Sequence, residues 1–239
     1  MPYNDLIYNK PMNYTPEQIS QIVLKVLKEV ETPDILNLSI EEKIKLAENQ
    51  NTPQELLKIL ATDEDPDVRW EVARNPNTSQ ETLAILATDE NFYVRYGVAR
   101  NPNTSQETLR IFATDKIPDV RREVAENPNT SQETLKILAT DKNPSVRYWV
   151  AQNQNTPQET LAILATDEDS YIRREVAENQ NTPQETLRIL ATDEDYDVRR
   201  GVAQNPNYKK QTLELTSVQY DALKKLIESG QDEILKGIL

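Results

Sequence analysis

The sequence predicts an all-α solenoid built from six tandem repeats of 26 residues, each containing two short helices. Three observations support this prediction. A similar unit opens with asparagine at a constant interval, at Asn51, Asn77, Asn103, Asn129, Asn155 and Asn181. Leu, Ile, Val and Ala recur within each unit at helical spacing. Only 4 of the 239 residues are glycine, and no Gly/Ser-rich stretch separates the units as a linker would.

The repeat period divides the chain into three regions. Residues 51–206 hold the six repeats, and residues 1–50 are expected to form an N-terminal helical cap that includes a degenerate repeat. Residues 207–239 are expected to form a C-terminal helical cap. The helical segments expected in these caps are 15–30, 39–48, 217–229 and 231–238. Their amphipathic sequences fit terminal units, because the outer face of a terminal unit meets water instead of a neighbour.

The first helix of each unit is expected to start at a capping box. In the third unit Thr104 precedes Glu107 by three residues, so the threonine hydroxyl could accept a backbone hydrogen bond while the glutamate reaches back. The helix then places Leu109, Phe112 and Ala113 on one face and Ile111 on another. Apolar residues on two sides predict a helix sandwiched between neighbouring elements.

The second helix is expected to start where Asp or Asn precedes Pro, as at Asp65-Pro66 and Asn143-Pro144. Val120 and Val124 lie one turn apart and should face the core. The helix should end at Asn127-Pro128, because asparagine tolerates a left-handed cap and proline cannot continue a helix. Neither helix exceeds about three turns, so each unit needs its neighbours to stay helical.

Composition excludes several kinds of function. The chain has no Cys and no His, which removes disulfides, thiol catalysis, iron–sulfur ligation and the commonest metal ligand and general base. We therefore expect no enzyme activity, cofactor or metal. No apolar run is long enough to cross a membrane, and the N-terminal residues lack the pattern of a signal peptide, so a cytoplasmic protein is expected.

Acidic loops also permit a calcium-site interpretation at two places, 63–65 and 193–195. These loops lack the glycine turn and the distal glutamate of a calcium-binding loop. They also lie where helix N-caps are expected. Capping is the favoured interpretation.

The units resemble those of the leucine-rich repeat variant family of bacterial helical repeat proteins. The resemblance rests on phrases such as VAENPNTSQETLKILATDKNPSVR and covers about residues 46–206. It implies a right-handed superhelix in which one helix of each pair can be a 3₁₀ turn. Some family members carry a Cys-rich iron–sulfur segment, which this Cys-free chain cannot supply. The family is known as an architecture and not as an activity, so the resemblance leaves function open.

Positions that are identical in all six units are candidates for structural roles. One is an arginine in each second helix: Arg69, Arg95, Arg121, Arg147, Arg173 and Arg199. Another is an aspartate after each first helix: Asp63, Asp89, Asp115, Asp141, Asp167 and Asp193. Bidentate Arg–Asp pairs between adjacent units are the favoured interpretation. A stripe of arginines that binds a ligand is the alternative.

Positions that differ between units are candidates for binding. The outward row of the second helices reads Trp70, Tyr96, Arg122, Tyr148, Arg174 and Arg200, flanked by Tyr93, Tyr171, Arg74 and Arg100, with Trp149 alongside. Trp, Tyr and Arg are the residues most enriched at binding hot spots. The row predicts a surface for a protein partner or an acidic, extended peptide. Packing between neighbouring helices is the alternative role for the aromatic residues.

Nucleic acid is a competing ligand, because aromatic and Arg side chains also stack on bases and pair with phosphates. The formal net charge of the chain is −13. A protein that binds the nucleic-acid backbone normally has an excess of basic residues. A non-catalytic scaffold for a protein or peptide is therefore the favoured prediction, and a nucleic-acid-binding repeat module is the alternative.

Overall fold

The computed structural model describes residue 35, residues 37–209 and residues 224–225. This part of the chain is all-α and contains no strand. The helices are α1 (Ile40–Glu48), α2 (Gln54–Leu60), α3 (Pro66–Arg74), α4 (Gln80–Leu86), α5 (Phe92–Arg100), α6 (Gln106–Phe112), α7 (Pro118–Glu126), α8 (Gln132–Leu138), α9 (Pro144–Gln152), α10 (Gln158–Leu164), α11 (Ser170–Glu178), α12 (Gln184–Leu190) and α13 (Tyr196–Gln204). The predicted segments 15–30, 217–229 and 231–238 lie outside the described residues, apart from Lys224 and Lys225.

The chain divides into two compact units, Met1–Asn207 and Tyr208–Leu239, and α1 to α13 belong to the first. Within that unit, each even-numbered helix is the first helix of a repeat and has seven residues. The odd-numbered helix that follows it is the second helix and has nine. None of the described helices has both the length and the apolar content that a membrane span requires.

Second helices pack side by side along the array, and each first helix packs against the second helices that precede and follow it. The core lies between these two layers. Leu109 and Phe112 enter it from a first helix, and Val120 and Val124 enter it from a second helix, with almost no exposed area. The predicted all-α repeat solenoid and the inward face of Val120 and Val124 are confirmed.

Both helices of every described repeat are α-helices, so the 3₁₀ turn that the family resemblance allowed is absent from this array. The second helices start at the predicted caps. Asp65 and Asn143 each accept a hydrogen bond from the backbone N–H two residues later, and proline follows both of them. Proline suits this position because its missing N–H is one that a helix start leaves unpaired.

The predicted capping box at Thr104 is wrong, because the first helix starts one residue later. The N-cap of α6 is Ser105, whose hydroxyl accepts from the Thr108 N–H at 3.2 Å. Thr104 is buried, and its Oγ1 donates to the Val98 carbonyl near the end of α5 at 2.5 Å. The last carbonyls of a helix lack intrahelical partners, and the buried hydroxyl satisfies one of them. Glu107 is exposed.

The predicted left-handed conformation of Asn127 is also wrong. Its φ and ψ are −62° and 121°, the extended conformation that a following proline favours. The Asn127 amide nitrogen donates to the carbonyls of Ala99 at 2.8 Å and Asn101 at 3.2 Å in the preceding unit. Its oxygen accepts from the Asn129 N–H. The same bonds recur at Asn75, Asn101, Asn153, Asn179 and Asn205.

The invariant arginines and aspartates form a second ladder between units, as predicted. Nitrogen–oxygen distances of 2.5 to 2.7 Å join the pairs Arg69–Asp89, Arg95–Asp115, Arg121–Asp141, Arg147–Asp167 and Arg173–Asp193. Arg121 also donates to the Asp115 carbonyl of its own unit at 2.7 Å. Burial alone would raise the pKa of Asp141, but hydrogen bonds from Arg121 and from the Asn143 N–H hold it below its usual value.

The predicted sandwiching of Ile111 is wrong. Ile111 is 58% exposed, whereas Leu109 and Phe112 of the same helix are buried. The reason is geometric. The second helices contact only one side of each first helix, and Ile111 lies on the other side. A row of isoleucines is therefore exposed along the first helices.

Candidate binding groove

A groove crosses the second helices of the first three repeats, α3, α5 and α7. Its volume is about 510 Å³, and it is lined by Trp70, Arg74, Phe92, Tyr93, Tyr96, Arg100, Asp119 and Arg122. Four of these, Trp70, Tyr93, Tyr96 and Arg122, are predicted binding residues, and Arg74 and Arg100 are the arginines predicted to flank the row. The lining contains three arginines and one acidic side chain, in a chain whose net charge is −13.

One end of the groove is built by α3. The Arg74 guanidinium lies 4.3 Å from the centre of the Trp70 ring and pairs with Glu71 at 2.9 Å. Glu71 is buried, and burial raises its pKa above the ordinary value although Arg74 opposes the shift. The Trp70 Nε1 is buried and has no hydrogen-bond partner. Trp70 is therefore fixed by its packing and by Arg74, and not by a hydrogen bond.

Trp70 can lie against α5 because glycine occupies position 97. A Cβ there would lie 3.0 Å from the Ala73 Cβ and 3.4 Å from the Trp70 Cδ1. The first of these distances is tighter than nine in ten real Cβ contacts, so its neighbour would have to move. Gly97 thus permits α3 and α5 to approach closely and leaves space for the indole ring.

The other end of the groove rests on a cluster of Tyr96, Arg122 and Glu123. Arg122 donates to Glu123 at 3.1 Å and to Asp119 at 3.0 Å, and Glu123 is only 3% exposed. Burial raises the pKa of Tyr96, and its hydrogen bond with Glu123 raises it further. Three polar groups therefore satisfy one another at the base of the groove, which holds Tyr96 and Arg122 in place.

Four groove residues are exposed, and for two of them, Tyr93 and Arg100, no side-chain hydrogen bond or ion pair is found among the described residues. Tyr93 is 58% exposed, and its ring centre lies 4.0 Å from that of Phe92. Arg100 is exposed and forms no hydrogen bond or ion pair within the described part of the chain. It acts electrostatically on Glu126, whose pKa is raised mainly by burial. Arg100 is the groove arginine that a ligand carboxylate can reach without displacing a partner.

The other five predicted residues lie outside this groove. Tyr148 and Arg174 form a second cluster with Glu175, in which Arg174 donates to Glu175 at 2.9 Å. Tyr171 is 64% exposed, and the Arg174 guanidinium lies 5.6 Å from its ring. Trp149 lines a separate cavity of about 250 Å³. Arg200 is exposed and lies 4.0 Å from Asp197.

Sequence reasoning treated the predicted row as exposed, but Trp70, Tyr96, Arg122, Tyr148, Trp149 and Arg174 are half-buried. It also missed Phe92 as a lining residue and the buried glutamates Glu71, Glu123 and Glu175. A signal for the glutamates was present, because Glu recurs at one position of the first, third and fifth units. A charged residue that recurs directly after the outward row indicates a partner within that row.

The carboxylates of the two candidate calcium loops have structural partners. Asp63 pairs with Lys43 at 2.8 Å and accepts from the Asp65 N–H, and Asp65 caps α3. Asp193 pairs with Arg173 at 2.7 Å. No group of three or more potential metal ligands occurs among the described residues. These contacts agree with the capping interpretation.

Comparison with known proteins shows which family the repeats are similar to. The sequence model of the leucine rich repeat variant family matches residues 66–91, 118–143 and 172–195. Each match begins at the start of a second helix or just inside it, continues through the next first helix and ends in the loop that follows. No curated protein matches the chain. The matched family is a helical repeat family, and no enzyme family is indicated.

Solved structures with the same architecture include one described as a leucine-rich repeat variant with a novel repetitive protein structural motif. It is 25% identical, with a TM-score of 0.57, over 79% of this chain and 82% of that chain. An engineered protein is 19% identical with a TM-score of 0.41, over 77% of this chain and 66% of that one. This chain is thus similar to the leucine-rich repeat variant family in three segments of its sequence, and similar in fold to a solved member of that family.

Proposed function

We propose that this chain is a non-catalytic binding scaffold that holds an acidic, extended segment of a protein partner in the groove over α3, α5 and α7. One observation carries the proposal. In a chain with a net charge of −13, the groove gathers three arginines and four aromatic side chains around a single aspartate. A volume of about 510 Å³ lies within the usual range for ligand sites.

The chemistry of the groove favours carboxylates as the groups recognised. Guanidinium groups form bidentate, charge-assisted hydrogen bonds with carboxylates. Arg74 and Arg122 are oriented by neighbouring acids, and Arg100 has no such partner in the described chain. Aspartate or glutamate side chains over Arg100 would gain the most, because their binding breaks no existing pair.

The shape of the groove favours an extended segment. Its lining residues come from three successive second helices, and packed helices lie roughly 8–10 Å apart. An extended chain crosses that distance with a few residues for each helix. Trp70, Tyr93 and Tyr96 supply flat apolar surfaces along the way, and such residues are typical of interface hot spots.

Selection of binding peptides tests the proposal. A randomised peptide display library is selected against the full chain, and recovered peptides are titrated against Arg100→Glu and Lys142→Glu variants. Both changes alter the net charge equally, and both side chains are exposed, but Lys142 lies in the loop before α9, outside the groove. We expect acidic peptides that bind Lys142→Glu normally and Arg100→Glu about tenfold or more weakly, as loss of a charged hydrogen bond implies.

Two outcomes would contradict the proposal. One is recovery of peptides without acidic residues, or peptides that bind both variants equally well. The other is tight binding of a labelled single-stranded DNA or RNA oligonucleotide near physiological salt. Sub-micromolar affinity that falls steeply with salt would favour the nucleic-acid function instead.

A further inference from the structure

A row of exposed isoleucines runs along the first helices, on the side that the second helices do not cover. Exposed fractions are 42% for Ile85, 58% for Ile111, 45% for Ile137, 59% for Ile163 and 60% for Ile189, and Ile59 of the first unit is half-buried. Isoleucine occupies this position in all six repeats. We call this surface the isoleucine face.

The stack of repeats does not account for an invariant isoleucine at this position. The buried side of each first helix is already filled by leucine or phenylalanine, as Leu109 and Phe112 show in α6. The residue just before the isoleucine is equally exposed but varies between Lys, Ala and Arg. An apolar side chain is therefore retained in every unit where a polar one would be better solvated, as expected of a surface that another molecule covers.

We propose that the isoleucine face is the contact between two copies of this chain. A partner without repeats would present a different surface to each repeat of this chain. Its binding would not require isoleucine in all six repeats. A second copy presents the same row with the same spacing between units, so every isoleucine can meet an equivalent surface. The second-helix groove has the opposite character, because its residues differ from unit to unit, and it stays free for another partner.

Charge on the isoleucine face supports pairing with a second copy. An exposed glutamate occurs in all six units, at Glu55, Glu81, Glu107, Glu133, Glu159 and Glu185. The residues just before the isoleucines are Lys58, Ala84, Arg110, Lys136, Ala162 and Arg188. Arg188 lies 2.7 Å from Glu185, so acidic and basic side chains meet on this face. The basic row of one copy can pair with the glutamate row of the other.

The order of these residues is basic, Ala, basic, basic, Ala, basic, which reads the same from either end. A two-fold interface brings the same patch of both copies together, with the copies either parallel or antiparallel. Ala84 of one copy meets alanine in both cases, at position 84 of a parallel copy or at position 162 of an antiparallel one. The small residues therefore coincide in either arrangement.

Sedimentation of the full chain tests the pairing. We expect a reversible dimer over micromolar concentrations and a monomer for the double variant Ile111→Lys and Ile137→Lys, which places charge at the centre of the row. Both side chains are exposed, so the melting temperature should change little. The matched variant Thr114→Lys and Thr140→Lys adds the same charge at exposed threonines of the same units and should stay dimeric. A monomeric wild-type chain, or a double variant that still dimerises, would overturn the proposal.

Cross-linking provides a second test, and the absence of Cys from the sequence makes the result simple to interpret. Chains carrying Ala84→Cys are mixed with chains carrying Ala162→Cys and oxidised. We expect disulfide-linked dimers: dimers with one chain of each kind show an antiparallel contact, and dimers of two like chains show a parallel one. A mixture that yields neither product would overturn the proposal. This face is separate from the groove, so either proposal can fail without the other.

Discussion

Two stretches of the same surface, two repeats apart, share a polar cluster but differ in what they present to a ligand. The cluster of Tyr96, Arg122 and Glu123 recurs as Tyr148, Arg174 and Glu175. Around it, Trp70, Arg74, Tyr93 and Arg100 of the groove are replaced by Arg122, Glu126, Ser145 and Gln152. The first stretch thus carries an Arg-rich aromatic groove, and the second has one arginine replaced by glutamate and another by glutamine.

The bonds that hold the repeats together are the same in both stretches. The asparagine ladder and the Arg–Asp ladder pass through each of them with nearly equal distances. The two stretches therefore have the same bonds between repeats and differ only in their outward residues. Stability should depend on the invariant positions wherever they lie, and binding should depend on the divergent positions of the first three repeats.

The largest expected effect is on stability. Asn101→Ala and Asn179→Ala each remove two hydrogen bonds to carbonyls of the preceding unit. The Asn75 and Asn153 carbonyls keep the backbone N–H of Thr78 and Thr156, but the carbonyls of Ala73 and Ala151 lose the side-chain donor. We expect each to lower the free energy of unfolding by about 3 kcal/mol. Urea denaturation followed by circular dichroism measures this loss. A large loss at one position and none at the other would break the equivalence of the two stretches.

The sequence predicts some features of the array but not others. The period and helical spacing were enough for the array and the inward valines. The Arg–Asp ladder was found because complementary charges recur at constant positions. The asparagine ladder and the bond from Thr104 to the preceding second helix were missed, because they join atoms of adjacent units whose separation is fixed only once the helices have packed. Local rules assigned Thr104 to an N-cap and a left-handed conformation to Asn127, which is the C-cap of α7 but is extended.

The groove was predicted only in part, because its enclosure also depends on packing between units. Helical geometry places Trp70, Tyr96 and Arg122 in one outward row, and that row was predicted. Helical geometry does not show which residues of the row enclose a cavity. Enclosure depends on the close approach of α3 and α5 at Gly97 and on Glu71 and Glu123, which pair with neighbouring arginines. These are properties of packing between units.

Acidification should lower the folding stability of both stretches equally. Burial would raise the pKa of Asp115 and Asp167, but hydrogen bonds from Arg95 and Arg147 lower both below the ordinary value. A folded-state pKa below the unfolded one stabilises the protein above the unfolded value of about 3.9, and that contribution is lost as the pH falls through the folded value.

Stability measured as a function of pH tests this expectation. The curve should fall on acidification below about pH 4, and Asp115→Asn or Asp167→Asn should flatten it to a similar degree while lowering stability at neutral pH. A curve that either variant leaves unchanged would show that these pairs do not contribute to acid sensitivity.

The two stretches should also differ in how a tyrosine substitution affects peptide binding, and this effect is smaller. Tyr93 and Tyr171 are similarly exposed, at 58% and 64%, but only Tyr93 lines the groove. We expect Tyr93→Ala to weaken the binding of an acidic peptide by about 1–2 kcal/mol, as truncation of an interface tyrosine does. Tyr171→Ala should leave affinity unchanged. Titration calorimetry measures both, and equal losses would contradict the placement of the site in the first three repeats.

The two tryptophans give the most direct measurement of where a partner binds, because the chain contains only two. Trp149→Phe leaves Trp70 as the only indole, inside the groove, and Trp70→Phe leaves only Trp149, outside it. We predict that a selected acidic peptide changes the tryptophan emission of Trp149→Phe in a saturable titration and does not change that of Trp70→Phe. A saturable change seen only in Trp70→Phe would place the bound peptide away from the groove and contradict the account.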